Sequence, residues 1–210
     1  MPELILNPTQ STYLSYGAAN NNYSANDWIR CGVQSTTSTR YLSLFQFDLS
    51  DIPLRSIIDS AVLKLWSFDD GFTWNAETTQ LAKMNIEAWA AGTATYNNRP
   101  DTTDDDQASG TNSGYNTWYS WDMQALVQSW ANGNANYGLT LIQDGLTTAK
   151  GKCFKKSGVY VPKLTINYTP VGCSAKSAGV WERGLVYAKD GGVWGQGLLY
   201  SKDGTWKQGV

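Results

Sequence analysis

The sequence predicts an all-β fold, with two antiparallel sheets packed face to face and one short helix. Three observations lead to it. About ten short segments alternate apolar and polar residues with the period of a half-buried strand. They are separated by stretches rich in Gly, Asn, Ser and Thr, while charged residues fall to 16% and aromatics reach 13%, the balance of a turn-rich β domain rather than a helical one. Only one stretch carries a helical period.

Taken in order, residues 3–7 (ELILN) form a short strand, and Tyr13 and Leu14 open the next. Residues 20–26 are a loop, because Asn and Ser side chains bond nearby backbone and favour turns over ladders. Strands follow at 28–33 and 40–47, then a turn around Pro53 over 50–58. In 61–66 the alternation sets Ala61, Leu63 and Leu65 on one face and Val62, Lys64 and Trp66 on the other. Residues 83–89 alternate similarly, with Met84, Ile86 and Ala88 on one side, and 93–116 read as a long polar loop. Strands at 118–121, 139–142, 151–155 and 163–167 complete the sheets, the last with Leu164 and Ile166 inward.

The helix lies in TWYSWDMQALVQSWANGNANYGLTL, residues 117–141. Asp122 is its expected N-cap, since a carboxylate can accept from the orphan N–H groups of the first turn. Met123, Leu126, Val127 and Trp130 follow at i, i+3, i+4 and i+7, giving one apolar stripe, with Gln124, Gln128 and Ser129 on the wet side. Gly133 permits the left-handed turn that stops it. A helix of about three turns is unstable alone, so the stripe must pack on a sheet.

This stretch resembles the segment of DNRLRE-type domains in which Trp-Asp leads into a short helix ending in Trp, followed by an Asn-Tyr-Gly-Leu strand entry. Three other blocks resemble the same family in the same order. They are TYLSYGAANNNYSANDWIRCGV, SLFQFDLSDIPLRSIIDSAVLKLW and IEAWAAGTATYNNRP, and VPKLTINY closes the module. Tyr96 stands where the family more often has Trp. The resemblance implies a jelly-roll-like sandwich, similar to carbohydrate-binding modules and to TGF-β-propeptide-like sandwiches, over residues 1–169.

Beyond it the composition changes. Residues 170–179 are small, polar and Pro-containing, which reads as a linker. Residues 180–210 hold a repeat: VWERGLVYAKDGG, VWGQGLLYSKDGT and WKQGV. Trp181, Trp194 and Trp206 each precede Gly by three residues, and Tyr187 and Tyr200 precede Lys-Asp-Gly turns suited to hairpins. The segment is too short to bury a core alone. It resembles Trp-Lys-x-Gly repeats near the ends of bacteriophage tail and other virion proteins, which assigns Trp181, Trp194, Tyr200 and Trp206 to assembly.

Composition also excludes functions. The net charge is −2 with no basic run, so nucleic acid is not an expected partner. No apolar run approaches a membrane span, and MPELILN lacks the basic flank and long apolar core of a signal peptide. With no histidine, Ser-His-Asp triads and His-based zinc sites are ruled out. Cys31, Cys153 and Cys173 are three, so at least one stands outside any intrachain disulfide. Between a Cys31–Cys153 disulfide and buried thiols, the latter is expected.

Candidate chemistry is correspondingly thin. Asp69, Asp70, Glu77 and Asp104, Asp105 and Asp106 are the carboxylate clusters. Glycoside hydrolysis needs one of a pair raised in pKa within a cleft, whereas these lie in polar, loop-like sequence. Such loops supply the hard oxygen ligands calcium takes, but no EF-hand spacing occurs, so no metal or cofactor is assigned. Trp66, Trp74, Tyr115, Trp118 and Tyr119 fall near strand ends or loops, where a flat ring can meet the apolar face of a sugar; Trp89, Trp121 and Trp130 are expected in the core.

These readings combine into a non-enzymatic bacteriophage virion protein, a head fibre or decoration or a tail-associated adhesin. Its module would meet host-surface glycans, and its repeats would bind virion proteins or copies of itself. The alternative is a secreted or cell-surface bacterial carbohydrate-binding module with an anchoring repeat.

Overall fold

The computed structural model describes residues 2–69, 71, 77–145, 150–171, 185–190, 193–201 and 206–209. The first sheet contains β1 (Glu3–Leu6), β11 (Lys163–Thr169), β5 (Ile57–Ser67) and β8 (Thr117–Asp122), side by side in that order. At the far end of β5, β10 (Lys152–Lys155) continues this sheet through Phe154 opposite Ser67, and β3 (Trp28–Val33) pairs with β10. The second sheet runs β2 (Gln10–Ser15), β4 (Arg40–Gln46), β9 (Leu139–Gln143), β6 (Thr78–Met84) and β7 (Ala108–Asn112). All these ladders are antiparallel, which makes the fold the expected all-β two-sheet sandwich.

One strand joins the two layers. Trp28 to Cys31 pair with β10, but Gly32 and Val33 pair with β4 of the other sheet. Gly32 makes this transfer in a left-handed conformation (φ +103), and a Cβ there would meet Gln143 Oε1 at 2.7 Å. The Val33 N–H donates to that same oxygen at 2.9 Å. A side chain at position 32 would therefore strain the backbone and displace the bond that anchors the crossing.

Between the sheets, Ala61, Leu63 and Leu65 of β5 and Leu164 and Ile166 of β11 face Phe45, Ala82, Leu139 and Leu141 of the second sheet. The single helix among the described residues, α1 (Gln124–Ala131), closes one end, with Met123, Leu126, Val127 and Trp130 in that core. Asp122 belongs to the last pair of β8, and its carboxylate accepts the Gln124 N–H at 3.0 Å. It acts one residue earlier than expected, with Met123 at the cap position. Gly133 has the expected positive φ of 106°.

The helix's polar side is not simply wet. Because β8 pairs β5 only from Val62 onward, the first residues of β5 need other partners. Gln124 Nε2 donates to Ile58 O at 2.8 Å, Gln128 Nε2 to Ser56 O at 3.0 Å, and Gln128 Oε1 accepts the Ile58 N–H at 2.8 Å. Ser129 is buried, not exposed.

Two other expectations are corrected. The strand expected at 83–89 begins earlier and stops at Met84, leaving Ile86 and Ala88 exposed, because the Ile86 N–H turns aside to Asp101 O. The expected loop at 93–116 contains β7. Both differences fall on strands whose inward residues include Thr78, Gln80, Gly110 and Asn112, which carry little apolar signal. Cys31 and Cys153 are buried and not joined in a disulfide; Cys173 lies outside the described residues.

In the C-terminal segment, β12 (Leu185–Asp190), β13 (Val193–Ser201) and β14 (Trp206–Gly209) form a separate three-stranded antiparallel sheet. The first hairpin closes between Asp190 and Val193 and the second between Ser201 and Trp206; the loop residues between lie outside the described ones, as does Trp181.

Candidate functional site

The outer faces of the two sheets differ in how they are covered. Over the second sheet the chain after β6 folds back, so that Trp89, Ala94 and Tyr96 pack on Leu14, Leu42, Leu44 and Ile142. The Trp89 indole N–H donates to Tyr137 O at 2.8 Å. Arg40 and Arg99 lie against the Tyr96 ring, at 5.4 and 4.4 Å from its centroid. The loop leaves an open depression of about 410 Å³ beside Trp89. Its one amide side chain, Asn98, is spent on Thr93 and Thr95 of the loop itself.

The first sheet presents aromatic rings outward instead. On β5 and β8 the inward pairs are Leu63 with Trp121 and Leu65 with Tyr119, so parity sends Trp66 and its partner Trp118 to the outer face. Their rings meet edge to face, centroids 5.5 Å apart. A third ring completes the group. Tyr160, in the single 3-10 turn Gly158–Tyr160 between β10 and β11, stacks on Trp66 at 4.5 Å with 20° between planes. Trp118 and Tyr160 each keep 37% of their surface exposed, and Val159 beside them 77%. Lys64, exposed two residues along β5, lies opposite Ser120 on β8 and Lys163 on β11. The result is a cluster of three rings with polar neighbours, Trp118 set at a steep angle to the stacked pair of Trp66 and Tyr160.

The structure thus brings Trp66 and Trp118 together and adds Tyr160, which no sequence period connects to them. Tyr115 is exposed nearby in sequence, in the turn from Ser113 to Asn116 that leads into β8. Tyr119 goes elsewhere. It is buried against Phe154, edge to face at 6.4 Å, and its hydroxyl donates to Ser113 O. Burial raises its pKa. Adjacent residues of one strand cannot both face outward, which is why Trp118 and Tyr119 separate. Trp74 lies outside the described residues.

The acidic side chains occupy turns. Asp69 Oδ1 accepts the Gly71 N–H at 3.0 Å, Asp104 pairs with Lys83, and Asp105 accepts from the Thr103 hydroxyl at 3.0 Å. Glu77 and Asp106 are exposed, and Asp70 is outside the described residues. Among the described residues no three His, Cys, Asp or Glu side chains gather as metal ligands would.

Residues 2–168 match the sequence model of carbohydrate-binding module family 96. The chain belongs to this family. The match spans the whole sandwich and ends within β11, leaving the three-stranded C-terminal sheet beyond it. No curated protein gives a significant match. For a carbohydrate-binding module of this family, an open sheet face carrying adjacent indole and phenol rings is a surface of the right chemistry, since sugars present C–H faces to rings and hydroxyls to a polar rim.

Proposed function

We propose that this protein is a non-catalytic glycan-binding module displayed on a bacteriophage particle, as a head fibre or decoration or as a tail-associated protein. The observation that carries the binding half is the Trp66–Trp118–Tyr160 cluster, in which Trp118 and Tyr160 stay exposed on the outer face of the first sheet with Trp66 half-buried between them and its neighbours. Tyr115, exposed in the turn before β8, is a further ring proposed to serve the same surface. The non-catalytic half rests on carboxylates committed to exposed turns rather than facing one another across a cleft.

The virion assignment is supported by the C-terminal repeats and their resemblance to those of virion proteins. A three-stranded sheet of this size is marginal in isolation. Attachment to virion proteins or pairing with copies of itself, through Trp181, Trp194, Tyr200 and Trp206, would complete it.

Affinity electrophoresis in gels containing a β-glucan, a xylan, a pectin or a peptidoglycan digest tests the first half. The protein is retarded by at least one polymer without releasing products, and Trp118→Ala abolishes the retardation. Retardation unchanged in Trp118→Ala and Tyr160→Ala would refute the patch. Immunogold labelling of purified particles tests the second half. Label on the bacterial surface and not on particles would replace it with the cell-surface alternative.

A further inference from the structure

The turn that delivers Trp118 is held from inside the sandwich. Between β7 and β8, residues Ser113 to Asn116 reverse the chain with Gly114 at φ 80° and Asn116 at φ 56°. Asn116 is among the few non-glycine residues that adopt that region readily, which suits it to a turn. Two interior side chains reach it: the Tyr119 hydroxyl donates to Ser113 O, and the Lys152 ammonium donates to Gly114 O at 3.3 Å.

Lys152 is the unusual one. It sits on β10 directly opposite Cys31 of β3, is 0% exposed, and belongs to the sandwich interior although a lysine is rarely buried. A fold that needed only volume at this position would use an apolar residue, which carries no desolvation cost. We infer that Lys152 is a positioning residue for the glycan patch, using its buried ammonium to fix the Ser113–Asn116 turn and with it Tyr115 and Trp118. The inference rests on the reading of that patch as a glycan site.

Burial lowers the Lys152 pKa to about 8. A charged donor holds a carbonyl more strongly than a neutral one, so the hold weakens as pH rises through that value. Among the described residues, the titratable groups placed beside it by the ladder and the turn include Cys31, directly across on β3, and Tyr119 on β8, which shares the turn. Burial raises both, so neither gains charge where Lys152 loses it.

Lys152→Met keeps an unbranched side chain one atom shorter and removes the charge. Two readouts decide the matter: amide exchange over residues 113–118 in the free protein, and retardation by the polymer that best retards the unaltered protein. The expected result is exchange at least tenfold faster over the turn and binding several-fold weaker, with the melting temperature maintained. Binding by the unaltered protein falls between pH 7 and pH 9, while that of Lys152→Met is flat. Unchanged exchange and binding in Lys152→Met would overturn the inference. If that variant fails to fold, the unaltered protein decides: binding and the protection of the turn amides, corrected for the intrinsic rise of exchange with pH, both constant from pH 7 to pH 9 overturn it equally. If no polymer retards the unaltered protein, the glycan reading fails, and the exchange data alone still show whether Lys152 holds the turn.

Discussion

The two outer faces of the sandwich use the same kinds of residue to opposite ends. On the second sheet Trp89 and Tyr96 belong to the loop that roofs it and pack down on its residues, Trp89 bonded through its indole N–H and Tyr96 flanked by guanidinium groups. On the first sheet Tyr160 stacks on Trp66 and Trp118 meets Trp66 edge to face, and Trp118 and Tyr160 remain partly in water. An aromatic cluster left uncovered forgoes part of the hydrophobic stabilisation it could contribute. What distinguishes a binding surface from a core in this fold is therefore coverage, not composition.

Substitutions separate the two roles. Trp121→Ala removes a fully buried ring whose N–H donates to Gln80 O, and it serves as the reference for a pure core loss. It should cost about 3–5 kcal/mol in denaturant unfolding. Trp130→Ala, which removes the helix's anchor, should cost a similar amount; a loss under about 1 kcal/mol would put α1 outside the core. On the roofed face, Tyr96→Ala should cost about 3 kcal/mol yet leave polysaccharide retardation unchanged. On the open face the pattern inverts. Trp118→Ala should change stability by less than about 1 kcal/mol and weaken binding at least about tenfold, roughly 1.4 kcal/mol. If Tyr96→Ala weakens binding as much as Trp118→Ala, coverage does not discriminate the faces and the comparison breaks.

The smallest expected effect is the pH dependence of folding. Burial holds Lys152 at about 8 against an ordinary 10.5, so between those values the unfolded chain carries a proton that the folded chain has released. Stability therefore rises with pH across that window. Lys156, lowered by its own burial, adds slope of the same sign. Chemical denaturation at pH 7.5 and pH 10 should show the increase, and Lys152→Met should reduce it. Since binding is expected to fall over the same interval, stability and binding move in opposite directions.

How far the sequence could reveal this follows from particular residues. Strands with an apolar inward row announced themselves: Ala61, Leu63 and Leu65 alternate visibly and are all fully buried. The helix was legible because Met123, Leu126, Val127 and Trp130 repeat at its period. Strand β7 was not, because a row of Ala108, Gly110 and Asn112 offers no contrast with its outward neighbours, and Gly110 is required by the Trp121 ring rather than by any local pattern. Half of the patch was legible too. Trp66 and Trp118 sit at outward parity, and the same parity could have removed Tyr119. Tyr160 could not be placed, since it meets Trp66 only after the chain has traversed β10.

The ladder between β5 and β11 has a mechanical consequence. The chain leaves the sandwich at Thr169, opposite Ile57, whereas Trp66 lies near the other end of β5, about 30 Å away along the strand. If the exit is the tethered end and the patch the gripping end, a pull between them runs along both strands in opposite directions. Seven register pairs from Lys163–Lys64 to Thr169–Ile57 then share the load together, as in shear, instead of opening one at a time like a zip. A tether and a grip placed at the same end of that ladder would have peeled it.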